Sequence, residues 1–329
     1  MAKLGIICTV FNDVSYLKTM WRSLKNIDFE DVNYYFVDDF STKNIDNAFD
    51  EIANCPDRKV HILKNDDEQR GFGAGCARNY ALDLADDEYV AFVDADDIVS
   101  PTYHSKLIQI SDMYQLDCVK TGWTVVNYTK RTSVNLEENI VTNTVLAGRE
   151  FFKPFYKSNL YDKPHSWAGI YKKSFLDNKG IRFSSLFTAE DRLFWTKCLC
   201  ESQKIMAIPV VDGYLYRKEG DDRLTTTGNI IQNDYFRAGV EIVNYLKKTN
   251  ASKDVWRKVI TQLIAIIDFH YQRRNRLSAI AAYDFCVKVH KLLKLLKLCP
   301  EYEFIYTRLS DKRKNIVNEF NEETLYVVE

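Results

Sequence analysis

The sequence predicts an α/β protein: a mostly parallel sheet flanked by helices, followed by a helical C-terminal region. Between residues 4 and 100, short apolar runs rich in β-branched residues alternate with stretches of helical spacing. The polar residues of that part gather at the ends of the apolar runs. From 230 to 298 the apolar residues recur at helical spacing throughout.

"LGIICTV" (4–10) reads as a first buried strand. Asn12 and Asp13 stand where they can cap a helix, and Val14, Leu17, Met20, Trp21 and Leu24 then recur at helical spacing. "NYYFVDD" (33–39) is a second strand, with a polar helical stretch near 44–53 after it. "KVHILKN" (59–65) is a third, followed by a helix from about Gly75 to Ala85. "YVAFVD" (89–94) is a fourth, and Pro101 starts the next helix. Strands alternating with helices imply parallel βαβ units, whose ligands sit beyond the carboxyl ends of the strands.

The middle departs from this rhythm. "CVKTGWTVVNY" (118–128) and "RTSVNLEENIVTNTVL" (131–146) look like strands joined by a turn. "PHSWAGIYKKSFL" (164–176) and "EDRLFWTKCLC" (190–200) look like short helical pieces around a loop. Three helical stretches follow: "DYFRAGVEIVNYLKK", "VWRKVITQLIAIIDFHYQRR" and "LSAIAAYDFCVKVHKLLKLLK", with breaks at 250–253 and 275–278. The cluster "EGDDR" marks a boundary near 220–230. The expected division is a nucleotide-binding catalytic domain over 1–225 and a helical domain over 226–329, the latter for acceptor, membrane-surface or oligomer contacts.

Composition narrows the class. The chain has 329 residues, 46% hydrophobic, enough for one large core or two domains. Its net charge of −1 carries no basic excess and argues against nucleic-acid binding. Eight cysteines without a CxxC pair or metal-type spacing imply a reduced, intracellular protein. The apolar stretch at the start is too short for a signal-peptide core, and no apolar run approaches the roughly 20 residues that span a bilayer. The expectation is a soluble cytoplasmic protein with peripheral contact at the inner face of the cell membrane. The segment "KVHKLLKLLKLC" (288–299) suits such a contact or an anionic polymer, and equally suits packing within a helical bundle or against a second subunit. His61, His104, His270 and His290 have no metal-ligand partner at helical spacing.

The chemistry concentrates at the strand ends. Strand one ends in "CTVFN", strand two in "VDDFS", and strand four in "VDADD". After strand three comes "QRGFGAGCARN", with Gly71, Gly73, Gly75 and Arg78. Asp94, Asp96 and Asp97 repel one another unless solvated or joined by a cation. Mg²⁺ or Mn²⁺ uses one or two carboxylates plus phosphate oxygens. In an extended backbone Asp94 and Asp96 point to one side. Asp96 is then the direct metal ligand, and Asp94 reaches the ribose or a metal-bound water. Glycines allow close approach to a nucleotide, and Arg78 presents a planar fork to a base or phosphate. The glycines follow strand three, so this is not the dinucleotide fingerprint, and no P-loop occurs. A flexible turn and solvated caps are the structural alternatives.

"IICTVFN", "VDDFS", "GAGCARN" and "FVDADD" together resemble the successive landmarks of family 2 glycosyltransferases, which have the GT-A fold. The resemblance is tight over residues 4 to 100. It continues loosely to about 220 through "WAGIYKKSF", "TAEDRLFW" and "YLYRKEGDDRLTTT", and extends to bacterial enzymes that decorate teichoic acids or capsular polysaccharides. Thr9 stands where many members have Pro. The resemblance implies that Thr9, Val10, Phe11 and Asn12 approach the base, that Asp39 bonds uracil, and that Gly73, Arg78 and the Asp94-Ala95-Asp96 motif hold the nucleotide. It implies Asp191, in the pair Glu190-Asp191, as general base. Helix capping by Thr188 and macrodipole complementarity are the structural explanation of the same acids.

His165, Ser166 and Trp167 match a stretch that flanks acceptor or donor sugar, with Trp167 either stacking on a sugar or filling the core. Arg217, Arg223 and Thr225 to Thr227 match a segment that touches diphosphate, or form a solvated loop. The implied activity is metal-dependent inverting transfer from a UDP-sugar to a hydroxyl of a bacterial surface glycan or its lipid-linked precursor. A nucleotidyltransferase and a catalytically dead glycan-binding module are the alternatives.

Overall fold

The computed structural model describes residues 2–12, 14–128, 130–136, 142–156, 158–209, 212–218 and 233–320. The chain divides into two compact units, within Met1–Gly220 and Asp221–Glu329.

The first unit opens with β1 (Ala2–Val10), α1 (Val14–Lys25), β2 (Val32–Asp39), α2 (Asp46–Ala53), β3 (Lys59–Asn65), α3 (Ala74–Leu84) and β4 (Asp87–Asp94). The apolar runs of β1, β2 and β4 become strands because both sheet faces are covered there, whereas β3 is the half-exposed edge strand. Leu4, Ile7, Phe36, Val37, Val90 and Phe92 are buried completely. In α1 the predicted stripe faces inward, with Leu17, Met20, Trp21 and Leu24 buried. Trp21 meets Tyr34 and Phe36 of β2 edge-on, at 5.3 and 5.6 Å.

The chain continues through β5 (Ile98–Val99), α4 (Tyr103–Tyr114), β6 (Cys118–Thr121), β7 (Trp123–Asn127) and β8 (Lys130–Val134). After short 3-10 turns between 148 and 162 come β9 (Gly169–Lys172), α5 (Lys173–Asn178), α6 (Glu190–Glu201), β10 (Ile205–Ile208) and β11 (Tyr214–Arg217). The large sheet runs β10-β6-β9-β4-β1-β2-β3, and a small one runs β5-β11-β7-β8. β1 to β4 are mutually parallel where they pair, whereas β9 is antiparallel to both β4 and β6.

Parallel register decides where the polar tips go. Thr9 pairs with Asp94, Val10 with Asp38, and Asp39 with Asn65. The carboxyl ends of all four strands therefore meet at one rim.

Several expectations need correction. The stretch 164–176 is not a set of helical pieces: Gly169–Lys172 is a central strand, and only 173–178 is helical. Four residues are too few to carry a period, and insertion between β4 and β6 overrides local preference. The run 118–128 divides at Gly122, β6 joining the large sheet and β7 the small one. Asn12 does not serve α1. Its side-chain carbonyl accepts from the backbone of Thr42 and Lys43 at 2.9 and 2.8 Å, which ties the end of β1 to the loop after β2. Asp13 lies outside the described residues.

The second unit holds α7 (Asp234–Lys248), α8 (Lys253–Tyr271), α9 (Ala279–Lys297), α10 (Tyr302–Tyr306) and α11 (Asp311–Glu319). Its core is formed by Phe236, Val243, Leu263, Ile267, Phe285, Leu292 and Leu296. Ser278 caps α9 by accepting from the Ala281 N–H. Among the described residues no helix is long and apolar enough to cross a membrane.

Candidate active site

The rim is organised by buried polar groups. Asp39, 6% exposed, accepts from Asn65 Nδ2 and from the Gly73 N–H, each at 2.8 Å. Gly73 adopts φ 103°, a left-handed conformation that suits glycine and aims this N–H back at β2. Burial pushes the Asp39 carboxyl above its ordinary range, against the two hydrogen bonds that pull it down. Asp38 accepts from the Ser41 N–H at 3.0 Å. Thr9 and Asn12 are half-buried, Val10 is buried, and Phe11 is 51% exposed beyond the strand end.

Arg78 is the central contact. It lies on α3 and is 5% exposed. Nη2 donates to Asp94 Oδ1 at 2.8 Å and Nη1 to Glu190 Oε1 at 2.7 Å. Burial opposes its charge, but the Asp94 and Glu190 carboxylates outweigh that effect and hold the guanidinium firmly protonated. Its fork thus joins the end of β4 to the start of α6. Gly75 permits the approach, since a Cβ there would lie 2.3 Å from the Ser184 carbonyl oxygen.

Asp94, Ala95 and Asp96 are not extended, so strand alternation does not orient the two carboxylates. Asp94 ends β4, and residues 95 and 96 form a turn closed by the Asp97 N–H to the Asp94 carbonyl, 3.1 Å. Asp94 and Asp96 are half-buried there and Ala95 is buried. Asp97, wholly buried, accepts from the Tyr214 hydroxyl and the Arg217 N–H, both at 2.8 Å. Burial, then the charges of Asp96 and Asp94, push its carboxyl well above the ordinary range. The turn concentrates negative potential, and its carboxylates fit a hard divalent cation that completes its shell with phosphate oxygens. Among the described residues no group of three or more His, Cys, Asp or Glu side chains could hold a metal unaided.

Glu190 and Asp191 open α6. The N-cap is Ala189, in the left-handed conformation and without a side-chain cap bond, so the Thr188 cap expected from sequence is not the one formed. Burial and the Asp191 charge raise Glu190 to about 7, while Arg78 works in the opposite direction. Asp191 Oδ2 lies 3.9 Å from His165 Nδ1, too far for a hydrogen bond, and burial lowers His165 to about 4, which leaves its imidazole neutral.

Trp167 is a core tryptophan. It stacks parallel to Tyr214 at 4.4 Å, to His165 at 4.9 Å and to Tyr216 at 5.4 Å, and at 5% exposure it offers too little open surface for a sugar. Arg217 lies over Tyr16, with its guanidinium carbon 4.6 Å from the ring centre. Arg223 and Thr225 to Thr227 lie outside the described residues.

Two supporting residues escaped the sequence reading. Asp97 lies in the acidic run after strand four, where the sequence alone assigns it no role. Lys120 was passed over inside an apolar strand, although a lone lysine in "CVKTG" is itself a signal, because a buried charge needs partners.

Comparison with known proteins supplies the wider context. YibD of Escherichia coli, an uncharacterized glycosyltransferase, is 25% identical over 275 residues, covering 82% of this chain and 76% of that protein. TarS of Staphylococcus aureus, a poly(ribitol-phosphate) beta-N-acetylglucosaminyltransferase, is 25% identical over 251 residues, 74% of this chain and 41% of TarS. The crystal structure of TarS 1–349 superposes with a TM-score of 0.71 at 17% identity, over 98% of this chain and 93% of that one. Its complex with UDP-GlcNAc gives 0.69 at 18% identity and the same coverage. The mannosyltransferase PcManGT of Pyrobaculum calidifontis, solved with GDP-Man and Mn²⁺, gives 0.51 at 15% identity, over 100% of this chain and 88% of that one. The family model described as glycosyl transferase family 2 matches residues 5–178, more than half of the chain, and the protein is accordingly a member of that family and a glycosyltransferase.

Proposed function

We propose that the protein is an inverting transferase that moves a hexosyl or N-acetylhexosaminyl group from a UDP-sugar to a hydroxyl of a bacterial surface glycan or its lipid-linked precursor. The observation that carries this reading is the Arg78 fork, which couples the acidic turn at Asp94 to the Glu190-Asp191 start of α6. The UDP-GlcNAc complex of TarS and the naming of TarS as an N-acetylglucosaminyltransferase support the donor class.

The roles follow from position. Thr9, Val10, Phe11, Asn12 and Asp39 line the base end of the rim, and Gly73 and Arg78 fix its floor. Asp96, with Asp94 beside it, would hold Mn²⁺ or Mg²⁺. A cation bound there would supply positive charge to the departing diphosphate. Asp191 takes the proton from the acceptor hydroxyl as the hydroxyl oxygen attacks the anomeric carbon. One displacement inverts the anomeric configuration, so no protein nucleophile is required. Arg217 flanks the acidic turn through Asp97, and Arg223 belongs to the segment that follows.

The 1–225 part is the catalytic domain. The helical part provides contacts with the acceptor polymer, a membrane surface or a second subunit. Ile280, Tyr283, Val287 and Leu298, all exposed, are compatible with such a role. Family membership disfavours the nucleotidyltransferase, and the intact Asp94, Asp96 and Asp191 speak against the dead binding module. A panel of UDP-sugars tested with and without Mn²⁺ decides the matter: sugar transfer with inversion from one donor is expected, and a product of retained configuration would overturn the mechanism.

A further inference from the structure

Lys120 is the most unusual charged residue of the first unit. It lies in β6, where all four residues are buried, and is itself 0% exposed. Its ammonium donates to the carbonyl oxygen of His165. It also sits 4.5 Å from the centre of the Trp195 ring, a cation–π contact. Trp195 follows Asp191 by four residues on α6, one helical turn along the same face. The Trp195 indole N–H is committed to the Leu160 carbonyl at 2.9 Å, so the ring is held in place. The ammonium is thus clamped between the His165 loop and the helix that presents Asp191.

A buried lysine is costly. Burial drives Lys120 down to about 7, and the Asp191 carboxylate acts against that fall. An apolar side chain would fill the position at lower cost, and the His165 carbonyl would keep a partner, since the Ala168 N–H also donates to it at 3.3 Å. Stability therefore gives no reason for a charge here. Orientation does, because Lys120 and Asp191 act on each other electrostatically and the His165 imidazole lies 3.9 Å from Asp191.

We propose that Lys120 is a positioning residue for the proton-accepting carboxylate Asp191, holding the His165 loop and the first turn of α6 in register from beneath. This rests on the reading of Asp191 as the base. The test is steady-state transfer from UDP-GlcNAc, or from whichever UDP-sugar the donor panel selects, by Lys120→Met and Lys120→Arg, with Tm measured for each. Lys120→Met should lose ~10- to 100-fold in kcat, a part of the range a general base supplies. Its donor KM should change less than twofold and its Tm should not fall. Lys120→Arg, which keeps the charge, should recover most of the rate. Wild-type kcat in Lys120→Met, or equal loss in both variants at unchanged Tm, overturns the proposal. If either variant fails to fold, the lysine-ammonium NMR resonance of Lys120 is followed in Asp191→Asn. A shift supports the coupling and an unmoved resonance refutes it. Full transfer by Asp191→Asn would instead remove the base assignment itself, which separates the two failures.

Discussion

Arg78 Nη1 meets Glu190 Oε1 at 2.7 Å although the two residues stand 112 positions apart in the chain. The same guanidinium reaches Asp94 at 2.8 Å. One buried cation therefore fixes the distance between the strand that ends in the acidic turn and the helix that begins with the proposed base. The three groups act as a unit: two carboxylates that repel each other are tolerated side by side only because the fork between them satisfies both.

Replacing Arg78 should be severe. Arg78→Met leaves Asp94 and Glu190 facing one another without a counter-charge, and breaking one side of a buried pair costs roughly 3–5 kcal/mol. The expected result is a Tm lower by many degrees and no detectable transfer. Arg78→Lys supplies a point charge without the second arm and should recover part of the stability but little activity. Calorimetric unfolding alongside the transfer assay checks both.

Asp96→Ala should act on binding. With the turn carboxylate gone, the cation loses its direct protein ligand and the diphosphate its counter-ion. Isothermal titration of UDP with Mn²⁺ should show affinity reduced at least tenfold, ~1.4 kcal/mol or more. Titration without metal should give the same weak binding for variant and wild type. Undiminished affinity in the presence of Mn²⁺ removes Asp96 as ligand.

Much of this was legible in the sequence because β1, β2 and β4 are buried on both faces, the edge strand β3 ends in the buried Asn65, and helices separate all four. Their apolar runs end where the polar tips begin, so the sequence alone assigns Asp39, Arg78 and the acidic turn to one edge. Of the small sheet, the β7–β8 hairpin was legible and β5 and β11 were not. β5 has two residues and β11 four, too short to carry a period, and they pair with segments far away in sequence. β9 failed for the same reason. The role of Asp97 was hidden because its partners, Tyr214 and Arg217, belong to that small sheet. Trp167 could not be divided between core and sugar platform until β11 was seen to pack against it.

Glu190 carries a pH signature. Its carboxyl is raised to about 7 from an ordinary 4.5, by burial first and by Asp191 second. The folded state therefore binds the proton more tightly than the unfolded chain. The sign follows: this group's contribution falls as pH rises from about 4.5 to about 7 and is constant above. Glu190→Gln keeps an acceptor for Arg78 and cannot titrate. The difference in Tm between Glu190→Gln and wild type should grow across that window in favour of the variant. A difference independent of pH would show that the carboxyl titrates normally.

Gly75→Ala tests whether the site depends on how closely α3 lies to the 184–190 segment. The added methyl group would fall 2.3 Å from the Ser184 carbonyl oxygen and 3.1 Å from Glu190 Cβ. Backbone cannot yield as a flexible side chain can, so α3 or the loop must move, at a cost of about 1–3 kcal/mol for overpacking. Any such movement also lengthens the Arg78–Glu190 contact from one side. Transfer should therefore fall by more than the loss of folded protein accounts for, measured as kcat at a temperature well below the variant's Tm. Normal kcat at lowered Tm would mean that the guanidinium follows the displaced helix and that α3 and α6 are less tightly coupled than their 2.7 Å contact implies.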